Sequence, residues 1–408
     1  MVRIKGEVLL ISLLALCLLG PFGSAVEAAK KEIVVGLINS ETGTEGSRGI
    51  EHRWGYQQAV NDINAKGGIF VKELNKKLPI RLVVADDKSD MTQAAAAAEK
   101  LIKLEKADFL IGTTTTPLNV VAGGVAEKYK RLYITPCLWP EEFLNQKYSW
   151  VVDIFFFAGD LFKSSVAPLE VIPKEKRPKK FAVMVPDDPD GQMFGGAASK
   201  VVPAQGYELA LYEPYTIGSK DFSPSILKMK RAGVEGMVIL IAPTDGITFV
   251  RQIKEHDFNP KYVWGARGFW PVEFYKTLGA DADYIVMDGF WAEAFGYGIS
   301  KELGERFRKD FNGATSVTVG LFYAVVQTLA AAIEEAGSID PKKVRDVYYS
   351  GKFTVKNTTV GDLKFNERGL APIPPVALQW YKGERMPVYP PSPKIWTLKL
   401  IPPWKERK

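Results

Sequence analysis

The chain has 408 residues, 46% of them apolar and 25% charged, with 53 basic and 47 acidic residues giving a net charge of +6. That balance is ordinary for globular domains and excludes disorder, collagen-like repeats and a polytopic membrane protein. The basic residues are spread along the chain rather than gathered in a stripe, so no nucleic-acid partner is expected.

The N-terminus carries Arg3 and Lys5, an apolar run over 8–19, and then Gly20, Pro21, Gly23, Ser24 and Val26-Glu27-Ala28. This pattern predicts a signal peptide over 1–28, cleaved after Ala28, and hence an exported protein. The run is shorter than the roughly 18–20 residues that span a bilayer. Leu16, just before Cys17, argues against a lipidated cysteine. Cleavage leaves Cys137 as the lone thiol, so no disulfide is expected. No later segment reads as long and apolar enough to cross a membrane.

From residue 31 short apolar runs of β type alternate with amphipathic helical runs. The spacing predicts a strand at 33–38, a loop of Gly and small polar residues at 39–49 and a helix over 48–66. Strands at 78–86, 109–112 and 132–135 follow, separated by helices over 91–105 and 117–129. After a stretch rich in proline and charge (148–178) the alternation restarts. Strands are expected at 181–185, 208–212, 237–241, 262–265 and 284–288, with helices ending near 202 and covering 224–232 and 244–256. Helices over 301–311, 317–336 and 341–349 and strands at 376–380 and 395–400 complete the chain. Such an order predicts an α/β fold of two similar halves, each a mostly parallel sheet with helices on both faces.

Enzyme signatures are missing. His52 and His256 are the only histidines and are both expected at the surface; Cys137 has no base near it in sequence. There is no nucleophile elbow, phosphate-binding loop or dinucleotide fingerprint. Asp187-Asp188-Pro189-Asp190-Gly191 looks like a calcium loop, but Pro186 and Ala197 fall on the first and twelfth positions, where carboxylates are needed. Asp86 and Asp87 end a strand, point to opposite faces and suit a strand end feeding a helix cap. No catalytic residue, metal or cofactor is expected.

Open α/β sheets bind ligands in loops beyond the carboxyl ends of their strands. These are the loops at 40–49, 113–116, 136–140, 186–191, 242–246 and 266–270. In the threonine run 113–116, Thr116 is expected to be the N-cap and Pro117 the first helical residue. The unpaired N–H groups and partial positive charge of a helix start suit a carboxylate.

The stretch Asp62-Ile63-Asn64-Ala65-Lys66-Gly67-Gly68-Ile69, followed by Val83-Val84-Ala85-Asp86-Asp87, resembles the branched-chain amino-acid-type (type I) periplasmic solute-binding proteins of ABC transporters. Ile111-Gly112 with the threonine run, Ile134-Thr135-Pro136, Asp221-Phe222-Ser223-Pro224, Arg251-Gln252 and Ala336-Gly337-Ser338 extend the likeness in order over residues 31 to about 385. The resemblance implies two Rossmann-like lobes joined by three hinge crossovers, 29–155 plus 292–360 and 156–291 plus 361–408. It further implies a periplasmic, monomeric protein whose cleft closes on a small molecule and delivers it to an ABC permease in the inner membrane. A sensor that presents its solute to a membrane receptor or kinase is the second reading. An enzyme using a carboxylate pair such as Asp86 with Asp190 is the third.

Carried over residue by residue, the resemblance implies a ligand-binding set of Arg48, Thr115, Thr116, Leu138, Trp139, Asp190 and Arg267. Thr116 falls where amino-acid binders place a serine hydroxyl on the ligand carboxylate. Leu138 and Trp139 replace a small residue and a threonine, and Asp190 replaces a tyrosine. Arg48 aligns with an aromatic or apolar position at the cleft mouth. Arg267 stands where the family uses a glutamate to hold the α-ammonium. An arginine repels that group and suits a carboxylate. The expected solute is therefore a small carboxylate, aromatic or dicarboxylic, held by Arg267 and Thr116 and packed on Trp139. Phe269, Trp270 and Trp291 are further candidates for the wall.

Overall fold

In the computed structural model, residues 30–391 and 393–407 are described; the expected signal peptide, with Cys17, lies outside the described residues. The first series of strands is β1 (Ile33–Asn39), β2 (Ile69–Val71), β3 (Lys76–Leu78), β4 (Ile80–Asp86), β5 (Phe109–Gly112), β6 (Tyr133–Thr135) and β7 (Val151–Asp153). Between them run α1 (Gly46–Ala65), α2 (Met91–Lys103), α3 (Thr116–Tyr129) and α4 (Pro140–Gln146). α5 (Ala158–Val166) leads to β8 (Lys180–Pro186), α6 (Pro189–Ala204), β9 (Glu208–Tyr215), α7 (Ser223–Ala232) and β10 (Gly236–Ile241). Then come α8 (Pro243–Glu255), β11 (Tyr262–Arg267), α9 (Val272–Leu278) and β12 (Val286–Gly289). The last elements are α10 (Ser300–Asp310), α11 (Val319–Ala336), α12 (Pro341–Tyr348), β13 (Thr354–Thr358), β14 (Gly361–Lys364), β15 (Val376–Tyr381) and β16 (Glu384–Tyr389).

Two large sheets result. One has the order β4-β1-β5-β6-β7 and is parallel throughout. The other has the order β16-β15-β12-β11-β10-β8-β9, with β8 to β12 parallel and β15 and β16 antiparallel. Every residue of β1, β10, β11 and β12 is buried, as in sheets covered by helices on both faces. α2 shows how the cover is made: Ala94, Ala97, Ala98, Leu101 and Ile102 form one stripe at helical spacing, and the Asp90 carboxylate caps the start by accepting from Gln93 N–H at 2.9 Å.

Five expectations are corrected. The run 78–86 is broken at Pro79, which lacks the N–H a ladder needs, and β3 pairs back on β2 as a small hairpin. The stretch 148–178 is not only a crossing, because β7 and α5 occupy part of it. The partner of β15 is β16, joined by the two-residue turn Lys382-Gly383 with φ of 51° and 86°. Residues 395–400 form no strand; the Gln379 side chain donates to Lys399 O at 2.7 Å and accepts from its N–H at 3.1 Å. Finally, α11 is long and apolar enough to cross a membrane by composition, but 67% of it is buried and it lies against α1. It is a core helix.

Candidate functional site

The buried face of α1 contains Arg48, Glu51, His52, Gly55, Tyr56, Ala59 and Val60, a continuous stripe at helical spacing. Its first turn thus carries charged groups inward. His52 is an interior residue, stacked on Phe322 at 3.7 Å between ring centroids, and not the surface residue expected. Burial, then the nearby Arg48 charge, lowers its pKa well below the usual histidine range, so it is neutral. His256 lies near the surface, where its ring pairs with the Ser223 hydroxyl at 2.8 Å.

Two neighbouring loops of the first sheet are held by one side chain. Asn119 Oδ1 accepts from Thr113 N–H at 2.8 Å, Tyr133 O–H at 2.5 Å and Thr135 O–H at 2.6 Å. Its Nδ2 donates to the carbonyls of Thr115 at 2.9 Å and Cys137 at 3.0 Å. Asn119→Leu would strand three donors and two carbonyls, each worth about 1–3 kcal/mol when buried and unpaired. A fall in stability of more than about 3 kcal/mol is expected, read from urea unfolding. Gly112 sets the approach of the same loop, since its φ is 125° and a Cβ there would sit 2.0 Å from Ile38 O. The N-cap of α3 is Thr115, one residue earlier than expected, and no side chain caps the helix start. Asp86 and Asp87 brace the neighbouring loops: Asp86 accepts from Thr42 O–H at 2.7 Å, and Asp87 from Ser40 O–H at 2.6 Å and from Thr113 O–H. Neither is the cap of α2, which is Asp90.

From the second sheet, β11 ends on Arg267 in the left-handed region, with φ of 66°, a conformation that costs a non-glycine residue about 1–2 kcal/mol. Arg267 Nη1 donates to Asp190 Oδ2 at 2.6 Å, and its Nε lies 3.3 Å from Glu45 Oε1. Asp190 in turn accepts from Trp139 Nε1 at 2.6 Å. Asp190 is brought close by Gly191, whose Cβ would lie 2.0 Å from Pro186 O. Glu51 makes a second crossing contact, accepting from Val272 N–H at 2.8 Å with Arg385 3.5 Å away. Segments that follow strands of both sheets therefore meet around Arg267. Burial opposes the charge on Arg267, but Glu45 and Asp190 outweigh it and hold the guanidinium above its ordinary pKa.

Six of the seven expected ligand residues line one cavity there: Arg48, Thr115, Thr116, Trp139, Asp190 and Arg267. The seventh, Leu138, faces away and packs with Ile38, Leu110 and Phe143. The cavity holds about 30 Å³, enough for one or two waters. Phe155, Trp270, Asp288 and Phe290 also line it. Of the three aromatic candidates only Trp270 lines it; Phe269 is in the core, and Trp291 donates inward to Ser300 Oγ at 2.8 Å. Cys137 also touches the cavity, but burial pushes its thiol up to about 12, which leaves no thiolate for chemistry.

The two arginines differ in how far their charge is used. Arg267 has two carboxylate partners. Arg48 has one loose ion pair, Nη1 to Glu45 Oε2 at 3.4 Å, and lies over the Trp270 ring at 4.9 Å. Its Nε and Nη2 are buried without a hydrogen-bond partner. A larger cavity of about 900 Å³ opens nearby, but its Glu41, Glu51 and Glu273 are already paired with Arg53, Arg385 and Lys276.

Residues 32–382 match the sequence pattern of the periplasmic binding protein family. The chain belongs to that family. It is similar to an amino acid binding protein of Pseudomonas aeruginosa, 27% identical over 88% of this chain and 92% of that one. Its fold is shared with the branched-chain amino acid transporter substrate-binding protein LivJ of Streptococcus pneumoniae, solved with isoleucine (TM-score 0.75, 20% identity, 87% and 98% of the two chains). It is shared also with an ABC transporter solute-binding protein of Rhodopseudomonas palustris solved with 3,4-dihydroxybenzoic acid (TM-score 0.73, 18% identity, 92% and 100% of the chains). Relatives in this family are solute-binding proteins of the branched-chain amino-acid transporter type, not enzymes.

Glu45, Phe155, Asp288 and Phe290 were not reached from the sequence. Glu45 lies one turn before Arg48, and Phe155 and Phe290 sit just beyond strand ends, in positions a topology-based search includes. Asp288 had no local signal, being one acid inside an apolar run.

Proposed function

We propose that this protein captures a small organic carboxylate, preferably an aromatic acid, in the cleft between its sheets and delivers it in the periplasm to an ABC permease. The halves that close are 29–155 plus 292–360 and 156–291 plus 361–408, with the last crossover moved past Ala371, because β14 pairs with β13 and Leu370 bridges Asp153 of the first sheet. The observation that carries this reading is Arg48: a buried guanidinium with two unpartnered N–H-bearing nitrogens in an aromatic-walled cavity. Such a group demands an anion, because a buried charge-bearing donor left unpaired costs several kcal/mol. Thr115 and Thr116 at the start of α3 add helix-end N–H groups to the same carboxylate. Arg267, with Asp190 and Glu45, serves as the latch that closes the halves.

The isoleucine-bound neighbour favours an α-amino acid as the second reading. Against it, Glu45 and Asp190 are both engaged with Arg267, and Asp288, the third carboxyl of the cavity, is held by Trp270 and pushed by burial toward its neutral form, which suits an ammonium group poorly. Thermal-shift screening separates the two. A ligand at 100 times its Kd adds about 2.7 kcal/mol of stability. Benzoate and hydroxybenzoates are expected to raise Tm and leucine and isoleucine to leave it unchanged; the reverse pattern contradicts the reading.

A further inference from the structure

We propose that Asp288 is a second recognition group of this cleft, hydrogen-bonding a ring hydroxyl so that hydroxylated aromatic acids bind more tightly than plain ones. The inference rests on the reading of the site as an aromatic-acid cleft. Asp288 is next to last in β12, lines the cavity and is only 2% exposed. Trp270 fixes its position relative to Arg48. The indole Nε1 donates to Asp288 Oδ1 at 2.6 Å, while the Arg48 guanidinium lies over the ring of the same indole at 4.9 Å. One rigid side chain therefore holds both groups, the cation over its face and the acid at its N–H edge.

The other charged residues lining the cavity are accounted for. Arg267 and Asp190 neutralise each other at 2.6 Å, and Arg48 receives the solute carboxylate. Asp288 is left to meet the solute's ring, and it shares the lining with the apolar Phe155, Phe290, Leu240 and Ala266. Burial pushes its carboxyl well above the usual range, against the Trp270 hydrogen bond and the Arg48 charge, which favours the neutral acid able to donate as well as accept. A plain benzoate ring would cover this polar group without satisfying it, whereas a hydroxyl would pair with it. Sites built to bond a hydroxyl reject the analogue that lacks one.

The test is calorimetric titration of benzoate, 4-hydroxybenzoate and 3,4-dihydroxybenzoate into the wild-type chain and into Asp288→Asn and Asp288→Leu. The wild type is expected to bind its best hydroxylated acid about 10- to 100-fold more tightly than benzoate. Asp288→Asn keeps an acceptor for Trp270 and a donor for the hydroxyl, and should preserve that ratio. Asp288→Leu should bind all three acids within about threefold of one another. A wild-type ratio near one, or a Leu variant that keeps the wild-type ratio, overturns the role of Asp288 while leaving the anion reading intact. Failure of all three acids to bind the folded wild type overturns the reading and the inference together.

Discussion

Arg48→Leu is expected to weaken binding of the preferred aromatic acid by about 100-fold or more, because two charge-assisted hydrogen bonds at about 1.5–3 kcal/mol each are lost. The effect is large because the site is dry. The Arg48 side chain is buried, its Nε and Nη2 have no partner, and its one ion pair with Glu45 is 3.4 Å long. Arg48→Lys keeps the charge but not the planar fork, so an intermediate loss is expected. Isothermal titration of both variants gives the ratio, with thermal melts as the control for folding. Equal affinity of wild type and the Leu variant would show that the carboxylate is held elsewhere.

Arg267→Leu is expected to open the protein. It leaves Asp190 a buried carboxylate without its cation and Glu45 with only the loose Arg48 pair, a break that costs about 3–5 kcal/mol in a closed interior. Opening relieves that cost by letting both carboxylates hydrate. The penalty therefore falls on the closed state and shifts the population toward the open one. Small-angle scattering should show a larger radius of gyration with or without solute, and affinity should fall because closure no longer follows binding. Adding Asp190→Asn to Arg267→Leu removes one of the stranded charges and should recover part of the closed population. An unchanged radius for Arg267→Leu would mean that Glu51 and its contacts to Val272 and Arg385 suffice to hold the halves together.

The α/β architecture was legible because its strands are buried on both faces and read as unbroken apolar runs, while α2 shows its stripe of alanines in plain sight. The C-terminal hairpin was not, because β16 contains Pro387 and opens on the charged pair Glu384-Arg385, and 395–400 looks more strand-like by composition. The site was legible as a set of loops but not as a charge arrangement. Arg48, Glu51 and His52 look like a solvated helix face until their register with Gly55, Tyr56, Ala59 and Val60 is noticed. Arg267 was expected to hold the solute itself, yet its partners Glu45 and Asp190 come from separate segments, and no local pattern reveals such a meeting. Leu138 and Trp139 are adjacent, and only the backbone direction at the end of β6 decides which of them turns to the cleft.

The central claim, that Arg48 holds the carboxylate of the cargo, is tested most directly by a crystal structure of the complex with 4-hydroxybenzoate. The account predicts a carboxylate oxygen about 2.7–2.9 Å from Nε or Nη2 of Arg48, with Arg267 still paired to Asp190. A carboxylate seated on Arg267 with the Asp190 pair broken, and Arg48 left without an anion, would contradict it.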